Sequence, residues 1–175
     1  QPMTVAIWAQ ADTLGEGSSS MPISKSGNWR TQIEPPGAFR FQKNFATSDL
    51  VRVSATLTTL TDGAFHHLAI TWNGSGGFAA IKLYYDGAEV AYSSNSGNGS
   101  GAIQSDDAIP LTIGNRSNAS RTFDGRLAHA HLFRRILSQD EIRQLMYHPA
   151  SHNLGPAGIG TGGLVGYWAL AGNTV

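Results

Sequence analysis

The sequence predicts an all-β sandwich with one short helix near its C-terminus. Three observations predict it. Hydrophobic residues recur at every second position through most of the chain, the period of a strand with one buried face. Three Asp-Gly pairs, Asp62-Gly63, Asp86-Gly87 and Asp124-Gly125, punctuate these runs, and Asp-Gly suits turns that need positive φ. Hydrophobic residues make up 41 % of the 175, against 14 % charged residues and 21 glycines. That is enough apolar surface for a core, joined by uncharged, glycine-rich loops rather than by disordered chain.

The strands follow in order. Val5, Ile7 and Ala9 alternate with Thr4, Ala6 and Trp8. Pro35-Pro36-Gly37 breaks the chain before a strand carrying Phe39 and Phe41. Val51, Val53, Ala55 and Leu57 alternate with Arg52, Ser54, Thr56 and Thr58. Between Phe65 and Trp72, one face collects His66, Leu68, Ile70 and Trp72. Ile81, Leu83 and Tyr85 lead into Asp86-Gly87, the clearest hairpin turn, and Glu89–Tyr92 returns from it. Ser93–Gly101 is a polar loop without charge. Ser138-Gln139-Asp140-Glu141 has the spacing of a capping box, with Leu137 and Ile142 as a hydrophobic staple. Leu145 and Met146 continue the apolar stripe and Pro149 ends the helix.

The chain therefore divides into a sandwich over 1–150, a Gly-rich linker over 151–163 and a further strand within 164–175. From Gln144 onward there is no Asp, Glu, Lys or Arg. Leu164–Leu170 must find a sheet edge, because one strand cannot bury itself. It pairs in its own sheet, joins a neighbouring subunit as a homo-oligomer contact, or opens a further repeat. The first residue, Gln1, reads as the start of a processed chain, a fragment or the ordered part of something longer.

Several function classes are disfavoured by composition. Twelve basic and twelve acidic residues give zero net charge, which argues against nucleic acid as a partner. No apolar run has the length of a membrane helix, and no signal peptide is visible. Cysteine is absent, which removes disulfides, thiolate nucleophiles and Cys-ligated zinc. Ser and His are plentiful, but there is no Gly-x-Ser-x-Gly elbow. The Gly97–Gly101 loop lacks the Lys and helix of a phosphate loop.

The order of motifs resembles laminin G-like domains. Met3–Ala9 resembles an early strand of that family. Phe65-His66-His67-Leu68-Ala69-Ile70-Thr71-Trp72 resembles its W-H-H-V-A-V-T-Y strand, with Phe65 in place of Trp. Ile81–Gly87 resembles the I-x-L-Y-V-D-G hairpin, and Leu111–Asn115 and Phe123–Leu127 resemble the next two strands. Arg135–Ile142 resembles the R-A-L-S-x-x-E-I close. The family's G-L-V-G-Y-W-P-L opening strand is missing at the N-terminus, and Gly163–Leu170 matches it at the other end. The resemblance implies a two-sheet antiparallel jelly-roll sandwich of the concanavalin A-like kind. It also implies an extracellular, cell-surface or virion-surface setting, although the family spans lectins, adhesion modules, enzymes and structural modules.

The residues weigh these roles differently. Glycosidases of this fold carry an E-x-D-x-x-E strand, and retaining catalysis needs carboxylates roughly 5–5.5 Å apart. The only glutamates are Glu16, Glu34, Glu89 and Glu141, and none has a carboxylate two residues away. Asp106 and Asp107 are adjacent, so on a strand they face opposite ways. His129-Ala130-His131 puts two imidazoles on one strand face without a third ligand nearby, a polar face more than a zinc site. His66-His67 sits where the family has His-His and reads as structural. Calcium is the one cofactor the resemblance leaves open, with Asp86, Asp106, Asp107 and Asp124 as oxygen donors. Asp86 and Asp124 also serve as turn residues.

A glycan site needs an aromatic platform and planar polar groups. Asn28, Trp29 and Arg30 supply both in one segment, and Asn115 and Arg116 offer a polar loop after a strand. Trp29 equally suits a core position and Asn115 a turn. Trp8, Trp72 and Trp168 read as core. Four Asn-x-Ser sequons occur at Asn73, Asn98, Asn115 and Asn118, and matter only in a secreted eukaryotic protein. The sequence thus points to a non-catalytic carbohydrate-recognition or adhesion module whose partner is a glycan or a surface protein. The alternative is a decoration or fibre subunit of a virion or filament, joined through Leu164–Leu170.

Overall fold

The computed structural model describes residues 1–15, 19–94, 97–105, 108–150 and 160–170. Glu16, Asp106 and Asp107, most of the linker and the last five residues lie outside this set.

Two six-stranded sheets stack face to face. The first contains β1 (Met3–Ala11), β6 (His66–Trp72), β7 (Ile81–Tyr85), β8 (Ala88–Glu89), β11 (Gly125–Phe133) and β12 (Leu164–Trp168), in the order β12-β11-β1-β6-β7-β8. The second contains β2 (Ile23–Lys25), β3 (Trp29–Glu34), β4 (Ala38–Lys43), β5 (Leu50–Thr56), β9 (Tyr92–Ser94) and β10 (Thr112–Ile113), in the order β10-β2-β3-β4-β5-β9. Every pairing is antiparallel. This is the two-sheet antiparallel jelly-roll expected from the sequence.

The core between the sheets is built by period two. Val5, Ile7, Leu68, Ile70 and Trp72 come from the first sheet, and Ile23, Ile33, Phe39, Phe41 and Leu50 from the second. The Asp86-Gly87 turn has φ of +48° and +74°, the double positive φ that a two-residue hairpin requires and Asp-Gly tolerates.

Helix α1 (Gln139–Tyr147) covers the outer side of the first sheet. Leu137, Ile142 and Leu145 pack there against Ala6, Ala69, Tyr84 and Phe133. The capping box is formed: the Glu141 amide donates to Ser138 Oγ at 3.2 Å, and the Ser138 amide donates to Glu141 Oε2 at 2.7 Å. Thr4 ties β1 to this connection. Its hydroxyl donates to the Arg135 carbonyl and accepts from the Leu137 amide, at 2.7 and 2.9 Å.

Two local expectations change. In β11 an unbroken period of two would put Ala128, Ala130 and Leu132 on one face, opposite His129 and His131. A bulge intervenes, because Ala6 pairs with His131 while Trp8 pairs with Ala128. His129 takes the left-handed backbone at φ +48°, so Leu127, Ala130 and Leu132 share the core side instead. In β5 the alternating valines do not line the core. Leu50 does, and Val51 pairs with Gln42 on the opposite face.

Leu164–Trp168 forms the edge strand β12, paired with β11 of the same chain from Ala130↔Trp168 to Phe133↔Leu164. Trp168 and Leu170 pack against the main core.

Candidate functional site

The outer face of the second sheet carries a lattice of planar polar side chains. Strands β3 and β4 turn Trp29, Thr31, Ile33, Phe39 and Phe41 inward, each of them buried. The intervening positions, Arg30, Gln32, Glu34, Arg40 and Gln42, therefore share the other face. Register brings them side by side: Arg30 faces Gln42, and Gln32 faces Arg40. On β5, Val51 lies beside Gln42 and Val53 beside Arg40.

Hydrogen bonds fix this lattice. Arg30 Nε donates to Gln32 Oε1 at 2.9 Å, and Arg30 Nη2 to Gln42 Oε1 at 2.6 Å. Arg40 Nη2 donates to the same Gln42 oxygen at 2.8 Å, and Arg40 Nη1 to Glu34 Oε1 at 2.8 Å. The Gln42 amide then donates to Asp49 Oδ2 at 2.6 Å and to Asn44 Oδ1 at 3.2 Å. Gln42 is 4 % exposed although it lies on the outer side. The guanidinium groups above it remain half-exposed. Burial first, then the nearby charges of Arg40 and Arg116, pull the Arg30 pKa below that of a free guanidinium.

The five sequence-derived candidates fall in different surroundings. Asn28 is fully buried; its amide donates to the Gln104 carbonyl at 2.7 Å and its oxygen accepts from Lys43 Nζ. Trp29 is 3 % exposed and its ring tilts against Phe41, so it is a core aromatic. Both line a cleft of about 350 Å³ at one end of the sandwich, with Lys43, Trp72 and Gln104. Arg30 alone of that tripeptide reaches the polar face, since neighbours on a strand point opposite ways. Asn115 organises its own loop: Oδ1 accepts from the amides of Arg116 and Arg121, and Nδ2 donates to Thr122 Oγ1. That loop lies against β2, where Ser24 Oγ donates to the Asn115 carbonyl at 3.3 Å and Ser24 pairs with Arg30. Arg116 thereby joins the same face as Arg30, half-buried and without a side-chain partner among the described residues.

Sequence reasoning missed Gln32, Arg40 and Gln42. The signal was present: polar side chains at every second position on both sides of the Pro35-Pro36-Gly37 turn.

The metal candidates are engaged in the fold. Asp86 Oδ2 meets His66 Nδ1 at 2.8 Å, and its Oδ1 accepts from the His67 amide at 2.8 Å. Asp124 Oδ2 accepts from the Thr13 hydroxyl at 2.8 Å. Asp106 and Asp107 fall outside the described residues. His131 presents its two ring nitrogens to the carbonyls of His129 and Pro149, and His129 Nδ1 meets the Tyr167 hydroxyl at 2.7 Å. Among the described residues, no three His, Asp or Glu side chains gather as a metal site.

A laminin G family model of the concanavalin A-like lectin/glucanases superfamily matches residues 1–143. The chain belongs to that superfamily. Three solved structures show how far this laminin G-type fold extends. A candidate carbohydrate binding protein from Bacteroides ovatus is 15 % identical, with a TM-score of 0.67 over 98 % of this chain and 46 % of its own. Domain 4 of AbnA, an extracellular GH43 arabinanase from Geobacillus stearothermophilus solved with arabinotriose, is 17 % identical. Its TM-score is 0.52, over 82 % of this chain and 65 % of its own. The CBM40 of a Ruminococcus gnavus sialidase, bound to α2,3 sialyllactose, is 14 % identical, with a TM-score of 0.54 over 82 % and 81 %. The laminin G-type chain thus spans less than two thirds of the first two. No curated protein matches its sequence. No helix among the described residues is long and apolar enough to cross a membrane.

Proposed function

We propose that the protein is a non-catalytic carbohydrate-binding module of a secreted or surface protein, and that the outer face of the second sheet is its binding surface. The observation that supports this most is the hydrogen-bonded lattice of Arg30, Gln32, Arg40 and Gln42 beside Val53. Sugars present hydroxyls in fixed directions and C–H patches between them. Planar guanidinium and amide groups locked in register match the hydroxyls, and Val53 offers an apolar contact. The relatives solved with arabinotriose and sialyllactose share the fold, which supports the reading by analogy.

Binding rather than catalysis fits the carboxylates. Glu34 is paired with Arg40, Glu89 with Lys82 and Glu141 with Arg135. Burial acts to raise the pKa of Glu89 and Glu141, but their bonds to Lys82 and Tyr92 and to Arg135 and Ser138 outweigh it. The net shift is downward, which disfavours either as a general acid. A fibre or decoration subunit joined through Leu164–Leu170 would require β12 to leave β11, on which it already pairs.

A glycan-array screen of the chain, with and without calcium and beside its mass in solution, tests the reading. The expected result is selective binding to one glycan class that Arg40→Ala abolishes without loss of folding. Silence across the array together with a discrete oligomer would overturn it in favour of a structural subunit. Binding that required calcium would move the site to the calcium candidates Asp86, Asp106, Asp107 and Asp124.

A further inference from the structure

We propose that this face selects an acidic glycan, one bearing carboxylate or sulfate groups, and that Arg30 and Arg116 hold the anion. The inference rests on the carbohydrate-binding reading and adds the charge of the ligand.

The charge balance on the face carries it. Arg30, Arg40 and Arg116 lie together with two carboxylates, Glu34 and Asp49. Glu34 is paired with Arg40 at 2.8 Å. Asp49 Oδ2 accepts from the neutral Gln42 amide at 2.6 Å, a bond that leaves its charge in place. Three guanidinium groups against two carboxylates therefore leave a surplus of one positive charge. Arg30 makes its two side-chain bonds to the neutral oxygens of Gln32 and Gln42. Those bonds fix the plane of the guanidinium without neutralising it. Arg116 has neither an ion pair nor a side-chain hydrogen bond among the described residues. The whole chain is neutral, so this local surplus of cation is not the echo of a basic protein.

The donor pattern points the same way. A guanidinium only donates hydrogen bonds, whereas a sugar hydroxyl both donates and accepts. The natural complement of two guanidinium groups that only donate is a group that only accepts, an ionised oxyanion. Arginine also meets carboxylate and sulfate oxygens with two parallel bonds. The Arg30 pKa is lowered by burial first and then by Arg40 and Arg116, which outweigh the opposing charges of Asp49 and Glu34. Gln42 bridges Arg30 and Arg40 from beneath, so the site is set before the ligand arrives.

Titration calorimetry with matched polymers tests this: polygalacturonate against its carboxyl-reduced galactan, and chondroitin sulfate against desulfated chondroitin. The expected result is binding to an acidic polymer at least about tenfold tighter than to its neutral or desulfated partner, weakening with added salt. Arg30→Gln and Arg116→Gln should each cost about tenfold or more. Arg116 stands on a loop, so its variant remains informative should Arg30→Gln fail to fold. The arm that loses binding tells carboxylate from sulfate. Equal affinity for acidic and neutral polymers would overturn the acidic preference and leave the carbohydrate reading standing. Binding to none of the polymers, nor to any glycan on an array, would overturn both. Acidic binding unchanged in both variants would overturn the placement.

Discussion

His66 and His67 are adjacent in sequence and sit in opposite electrostatic situations. His66 stacks on Tyr85 with ring centroids 4.8 Å apart, and its two nitrogens meet Asp86 and Asp62 at 2.8 and 3.1 Å. Burial acts to lower its pKa, yet the bonds to Asp86 and Asp62 outweigh it and the net shift is upward. His67 points to the other face, against Trp8. Burial there, with His131 nearby, pushes it down to about 3. The signs follow from proton linkage. The His66 contribution is complete below about 6.5, the pKa of unfolded histidine, and fades as pH rises through its raised folded value. The His67 contribution is complete above about 6.5 and fades toward 3, because the unfolded chain takes up that proton first. We expect stability to be greatest near pH 6.5, with an acid limb no steeper than about 1.4 kcal/mol per pH unit from this group. Urea midpoints measured against pH check this. In His66→Gln the alkaline decline should flatten while the acid limb persists; an unchanged alkaline limb would contradict the assignment.

At the scale of the element, helix α1 is held by its cap and by its apolar stripe. Ser138→Ala should lower stability by about 1 kcal/mol. Leu145→Ala, which empties a buried site against the first sheet, should lower it by about 2–5 kcal/mol. Thermal or urea unfolding reads both, and a Leu145 variant as stable as the parent would refute the packing. The edge strand β12 offers a parallel test. Trp168→Ala removes a partly buried ring from the core and should destabilise by about 2 kcal/mol. A variant that leaves the melting temperature unchanged would place that strand off the sheet. The helix and the Asp86-Gly87 hairpin were legible in the sequence because their signals are local: a capping box, a staple, a dipeptide with positive φ. The β11 bulge was not. It arises from how β11 pairs with β1, and nothing within Arg126–Phe133 announces that His129 adopts a left-handed backbone.

The whole molecule shows the same division between local and non-local information. Period two marks Phe39 and Phe41 in β4 but leaves β3 unrecognised as a strand. It could not say that Arg30, Gln32, Arg40 and Gln42 would meet, because that depends on the register across the turn. Trp29 drew attention as an aromatic beside polar neighbours, yet strand geometry turns it into the core while Arg30 turns out. Arg116 reaches the face only because β10 pairs with β2. Two stacked sheets hold these side chains on rigid strands, with α1 packed on one outer face and the polar lattice on the other, the face proposed to bind a glycan.

The most direct test of that assignment is a nitrogen–proton correlation titration of the labelled protein with an oligosaccharide that binds it. The account predicts that the backbone signals of Arg30, Gln32, Arg40 and Gln42, and the Arg30 side-chain Nε, shift together and saturate with one affinity. Shifts confined to Asn28, Lys43 and Trp72 in the end cleft, with the face of the second sheet unmoved, would contradict it.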